Sequence, residues 1–119
     1  MTNKVAVYGS LRKGLHNHVL LEDSDYLGLD KLQGEYTLLD LGSFPGLILQ
    51  GDTDITIEVY EVDEETFQNL DWLEGYPSFY NRTEVETLYG TAWVYYLQGD
   101  KYSNVAVPSG DWTDVRDAC

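Results

Sequence analysis

The sequence predicts an α+β domain built on a mostly β sheet or small barrel. Three observations predict it: nearly strict apolar and polar alternation over residues 54–62, a well-capped helix directly after it, and two further strand patterns at 80–88 and 91–97. A length of 119 residues suits one domain spanning 1–119. The 43% of hydrophobic and 13% of aromatic residues suffice for a core without disulfides or a structural metal, which excludes disordered and collagen-like classes.

Each element has a local reason. Residues 4–8 are short, β-branched and end at Gly9, as a buried strand entering a tight loop does, and 12–14 continue that loop. Residues 18–21 open a short helix, followed by a solvated turn carrying Glu22, Asp23 and Asp25. Strands at 34–41 and 46–49 are separated by the breaker run Gly42-Ser43-Phe44-Pro45. In 54–62, Ile55, Ile57 and Val59 share one face, with Thr56, Glu58 and Tyr60 on the other. Asp63 is the expected N-cap of the helix, Glu64 and Glu65 suit the positive end of its dipole, and Phe67, Leu70 and Leu73 or Glu74 recur at helical spacing. Gly75 supplies a left-handed C-terminal cap and Pro77 blocks continuation. The last two strands form a hairpin joined at Tyr89-Gly90, and an irregular acidic tail follows. Leu-Gln-Gly-Asp occurs at 49–52 and 97–100 with different flanks, a turn sequence used twice rather than a repeat.

Seven Lys and Arg against 21 Asp and Glu give a net charge of −14. Seven cations scattered from Lys4 to Arg116 make no basic stripe, so nucleic-acid binding is not expected. The same charge favours cationic or neutral ligands. No apolar run approaches the ~20 residues of a membrane helix, and MTNKVAVYGSL lacks the apolar stretch of a signal peptide, so a cytoplasmic protein is expected. The single Cys119 can form no internal disulfide and offers no thiol pair for zinc.

Glu74 is the leading candidate for acid–base chemistry. A carboxylate in the last turn of a helix faces the negative end of the dipole, and Trp72, Tyr76 and Phe79 would desolvate it if they fold over it; both effects raise its pKa toward the useful range. The alternative is one of many solvated surface acids. Tyr8-Gly9-Ser10-Leu11 comes second: a strand running into a Gly-containing loop presents backbone N–H groups able to hold a carboxylate or an oxyanion, or it is an ordinary turn. Ser10 lacks the Gly-x-Ser-x-Gly setting of a nucleophile, and His16-Asn17-His18 lacks a third metal ligand at fixed spacing, so no metal site is expected. Arg82 sits among acids, where an ion pair is the first explanation and substrate contact the second. The tyrosines, notably Tyr95 and Tyr96, suit strand propensity and cross-strand pairing.

Three segments together resemble the gamma-glutamylcyclotransferase-like family, in particular its gamma-glutamylamine cyclotransferase and AIG2-like branch. They are Val5-Ala6-Val7-Tyr8-Gly9-Ser10-Leu11; Val59-Tyr60-Glu61-Val62 leading to Leu70-Asp71-Trp72-Leu73-Glu74-Gly75-Tyr76-Pro77-Ser78-Phe79-Tyr80-Asn81-Arg82; and Trp93-Val94-Tyr95 with Ser109-Gly110-Asp111-Trp112. The resemblance implies a small mixed β-barrel with flanking short helices, Glu74 at the catalytic position, and a substrate wall from Tyr8, Gly9, Ser10 and Leu11 with Tyr80 as a further contact. It implies release of 5-oxoproline from a γ-glutamyl amine without a cofactor. Family members often carry Gly shortly before the Val-Tyr segment where this chain has Ile57-Glu58, which implies a changed contact beside the pocket. The rival class is a non-catalytic acidic interaction protein, or a small-ligand binder that retains the fold.

Overall fold

Side chains alternating into two buried faces make the first strand a central one. The computed structural model describes residues 2–9, 11–12, 18–21, 23–40, 45–76, 78–97, 105–107 and 109–112. In it β1 (Thr2–Val7) sends Val5 and Val7 to one core and Ala6 to another. β1 lies antiparallel to β3 (Pro45–Asp63) and parallel to β5 (Gly90–Leu97), with Val5 opposite Trp93. With β2 (Asp25–Asp40), β4 (Tyr80–Thr87) and β6 (Val105–Ala106), the sheet order is β4-β5-β1-β3-β2-β6. This mixed sheet curls into a half-barrel, in keeping with the expected small mixed barrel.

The two faces bury different partners. Ile55, Ile57 and Val59 are fully buried against Leu38, Leu47 and Trp112. Tyr60 and Val62 lie on the opposite face with Phe67 and Leu70 of the helix α1 (Glu64–Glu74) and Leu21 of a 3-10 turn at His18–Leu21. The alternation read in 54–62 is therefore real, but its second face is not solvated: α1 and the 3-10 turn cover it.

Four boundaries differ from expectation. β2 begins at Asp25 rather than 34, because pairing with β3 from Asp25↔Glu61 onward outweighs the poor strand propensity of Asp and Gly. The strands expected at 46–49 and 54–62 are one strand, β3, whose ladder with β2 absorbs irregularities between Leu32 and Thr37. The hairpin turns at Leu88-Tyr89, one residue early, with Gly90 already paired to Thr87. The expected irregular tail holds β6 and then docks: Val107 N–H donates to Leu38 O at 2.7 Å, and Trp112 is 1% exposed. Gly14, His16, Asn17, Gly42, Ser43, Phe44, Pro77 and the second Gln-Gly-Asp lie outside the described residues. Among the described residues, no helix is long and apolar enough to cross a membrane.

Gly110 makes this docking possible. Its φ is +69°, a Cβ there would collide with the Asp54 carbonyl, and its own carbonyl accepts from Thr56 N–H at 2.8 Å. Gly110→Ala is expected to destabilise the protein by on the order of 2 kcal/mol in urea unfolding, and a change below a few tenths would contradict this seating of the tail.

Candidate active site

The helix that carries Glu74 is defined by local chemistry at both ends. Asp63 adopts φ −79°, ψ 173° and its carboxylate accepts from Thr66 N–H at 2.7 Å, which also holds the Asp63 pKa below its ordinary value. At the other end Gly75, at φ 65°, closes a Schellman motif: Tyr76 N–H donates to Asp71 O at 3.0 Å and Gly75 N–H to Trp72 O at 3.2 Å. Phe79 N–H then donates to Gly75 O at 2.8 Å, and the chain turns into β4 at Tyr80. Glu74 is thus the last helical residue, a short turn away from Tyr80.

Strand topology brings the other candidates to the same end of the sheet. β1 and β5 are parallel, so Tyr8, just past β1, lies beside the end of β5, and its O–H donates to Tyr95 O at 2.8 Å. Tyr80 opens β4 opposite Leu97, and its O–H donates to the carbonyl of Pro45, the first residue of β3. Gly9 packs so closely on Pro45 that a Cβ would lie 2.7 Å from its Cγ. Tyr8 has its pKa raised by burial first, then by the nearby Tyr80 and Glu74; Glu74 also acts on Tyr95. Glu74, Tyr8, Tyr80 and Tyr95 therefore form one electrostatic group.

Burial pushes the Glu74 carboxyl from 4.5 up to about 7. The expected cover by Trp72 is not what causes this. Trp72 is 86% exposed and so does not cover the carboxyl, while Tyr8 and Tyr95 lie near enough to feel its charge. One helical turn before Glu74, Asp71 accepts from Tyr95 O–H at 2.7 Å and pairs with the Arg82 guanidinium. Arg82 is the ion pair expected of it, with the added feature that Phe67, Tyr76 and Trp93 surround its guanidinium at 4.4, 4.3 and 4.9 Å.

The Tyr8–Leu11 loop is held by residues to which the sequence reading gave no role in a site. Arg12 N–H donates to Gly9 O at 2.9 Å, closing a tight turn, and His18 Nδ1–H donates to Leu11 O at 3.0 Å. The Arg12 side chain is 7% exposed and reaches Glu58 Oε2 at 3.1 Å and Asp111 Oδ1 at 2.6 Å. Burial disfavours its charge, yet these hydrogen bonds outweigh the cost and keep the guanidinium pKa above its ordinary value. Glu58 also accepts from Tyr60 O–H at 2.8 Å. The departure at Ile57-Glu58 is thus a buried anchor for Arg12. Leu11 is 4% exposed in the core beneath the loop, whereas Ser10 lies outside the described residues. Among the described residues no group of three His, Cys, Asp or Glu could hold a metal ion.

Comparison with known proteins agrees with this architecture. The family model described as gamma-glutamyl cyclotransferase, AIG2-like, matches residues 5–114. A Vibrio cholerae relative, named provisionally as a gamma-glutamylcyclotransferase, is 45% identical over 112 residues, covering 94% of this chain and 96% of its own. The Escherichia coli protein YtfP, named as a gamma-glutamylcyclotransferase family protein, is 35% identical over 111 residues, covering 93% and 96%. An uncharacterized Pyrococcus horikoshii protein of known crystal structure superimposes with a TM-score of 0.85 at 34% identity, covering 98% of this chain and 94% of that one. A mouse AIG2-like protein does so with 0.70 at 27% identity, covering 93% and 94%.

Two stability experiments follow from the buried charges. Because the folded-state pKa of Glu74 is raised, its stabilising proton is fully present below the unfolded value of 4.5 and lost as pH rises through about 7. Glu74→Gln cannot ionise, so it is expected to gain on the order of 2 kcal/mol relative to the native protein between about pH 5 and pH 8.5; a pH-independent difference would contradict the burial. Glu58→Ala leaves Arg12 with Asp111 alone, and about 3 kcal/mol of destabilisation is expected in denaturant unfolding, against under about 1 kcal/mol if the pair were solvated.

Proposed function

The chain belongs to the gamma-glutamyl cyclotransferase, AIG2-like family, and from that membership we propose that it converts a γ-glutamyl amine into 5-oxoproline and a free amine. The observation that carries the reading is Glu74, whose carboxyl is pushed to about 7 at the end of α1, near enough to Tyr8 to act on it electrostatically. A group that titrates near neutrality can both take and return a proton at working pH.

The substrate's α-nitrogen attacks its own γ-carbonyl carbon, forming the ring C–N bond and a tetrahedral oxyanion. Collapse of that intermediate breaks the C–N bond to the leaving amine. The Glu74 carboxylate takes a proton from the attacking nitrogen and delivers it to the leaving nitrogen, so atoms and charge balance without water or a cofactor. General acid–base assistance of this kind contributes roughly 10²–10⁴ in rate. Holding the substrate curled supplies the remainder, because nucleophile and electrophile share one molecule.

Backbone N–H groups of the Gly9, Ser10 and Leu11 loop hold the α-carboxylate or the oxyanion, with Tyr8 and Tyr80 forming the wall behind them. Supporting this assignment, Arg12 and Arg82 are each already paired with carboxylates, so neither side chain is offered to the substrate as a counter-ion. Both tyrosine hydroxyls donate to backbone carbonyls, which fixes their rings. The net charge of −14 favours substrates whose leaving amine is cationic.

The test is 5-oxoproline formation, read by mass spectrometry, from a panel including γ-glutamyl-ε-lysine and glutathione. Turnover by the native protein, fastest at low salt with cationic leaving amines, and loss of about 10²-fold or more in folded Glu74→Gln is the expected result. The kcat/KM should fall on the acid side with an apparent pKa near 7, since protonation removes the base. Substantial turnover by Glu74→Gln would refute the role, and silence of the folded native protein across the panel would refute the activity on these substrates.

A further inference from the structure

Asp71 and Glu74 are three residues apart on α1, so they lie on one side of the helix, one turn from each other. Both oxygens of Asp71 are occupied by the hairpin: Oδ1 accepts from Tyr95 O–H of β5 at 2.7 Å and Oδ2 from Arg82 of β4. Arg82 has little freedom of its own, because rings from α1, from the turn after it and from β5 surround its guanidinium within 4.9 Å. Tyr95 in turn offers its carbonyl to the O–H of Tyr8. A continuous hydrogen-bonded path thus runs from Arg82 through Asp71 and Tyr95 to Tyr8, joining the helix that carries Glu74 to the strand end that carries the loop.

We propose that Asp71 is a positioning residue for Glu74: clamped between Arg82 and Tyr95, it sets the last turn of α1 at a fixed place relative to Tyr8. The energetics fit a positioning role better than a stabilising one. The pair is partly buried, at 19% and 23% side-chain exposure, where desolvation consumes much of the attraction. Arg82 Nε is buried with no hydrogen-bond partner among the described residues, a further cost that an apolar pair would not carry. What the ionic pair supplies instead is direction, since a carboxylate held by two different donors has one orientation.

The inference rests on Glu74 being the acid–base group, and the experiment separates the two. Tyr95→Phe removes one hydrogen bond and keeps the ring; Asp71→Ala removes both; Asp71→Asn keeps an acceptor for Tyr95. Expected for Tyr95→Phe and Asp71→Ala are a kcat about 10- to 100-fold lower, a KM within about twofold of native, and faster amide hydrogen exchange at Glu74, Gly75 and Tyr76 with β1 and β3 unchanged. Asp71→Asn should recover part of the lost kcat. Native kcat in Tyr95→Phe, or unchanged exchange in the last turn of α1, would overturn the positioning role. If the native protein forms no 5-oxoproline, the cyclotransferase reading fails alone, and the exchange measurement still decides whether Asp71 fixes Glu74.

Discussion

The parallel pairing of β1 with β5 is the constraint on which the rest of the site depends. Because the two strands run the same way, their C-terminal ends lie together, and Tyr8 meets the backbone of Tyr95 at 2.8 Å. β4 pairs antiparallel with β5, so its first residue, Tyr80, arrives at that same end, directly after the helix that finishes at Glu74. β3 starts there too, and Pro45 receives the Tyr80 hydroxyl while packing against Gly9. Reversing β5 would send Tyr95 to the opposite end of the sheet and separate Glu74 from the loop. Four chain segments thus converge at one end of the sheet, with Glu74 near enough to Tyr8 and Tyr95 to act on both electrostatically.

Enclosure has different consequences for the different charges. Burial moves the Glu74 pKa to about 7, which puts its titration near neutrality. Arg12 and Arg82 are enclosed with partners, and each stays charged while tying elements together: Arg12 joins the loop to β3 and to the docked tail, Arg82 joins the hairpin to α1. In a chain with 21 acids and seven Lys and Arg, both described arginines serve inside the protein. Their charges are spent on joining segments of the fold, each guanidinium being held by a carboxylate of another element.

Legibility in the sequence followed the range of the interaction. The N-cap at Asp63, the left-handed cap at Gly75 and the placement of Glu74 at the helix end depend on residues three or four apart, and all were readable. The alternation Ile55, Ile57, Val59 was readable as well, being local to one strand. The contacts that were not readable span long stretches of chain. Arg12 and Asp111 are 99 residues apart, Tyr8 and Tyr95 are 87, and no local pattern announces either. Tyr95 was legible only as a strand residue, although its hydroxyl serves Asp71. Trp72 illustrates the converse error: proximity in sequence suggested a cover for Glu74, but two residues along a helix point to different sides, and the ring stands in solvent. Asp71 was the one hidden partner with a local signal, its three-residue spacing from Glu74.

The central claim is that Glu74 is an enclosed carboxyl that exchanges protons where the substrate sits. Its most direct test is a ¹³C NMR titration of the Glu74 side-chain carboxyl in the native protein, with and without added 5-oxoproline. The structure predicts a midpoint near 7 that moves when the product binds. A midpoint in the ordinary carboxylate range of about 4.3, unmoved by product, would contradict it.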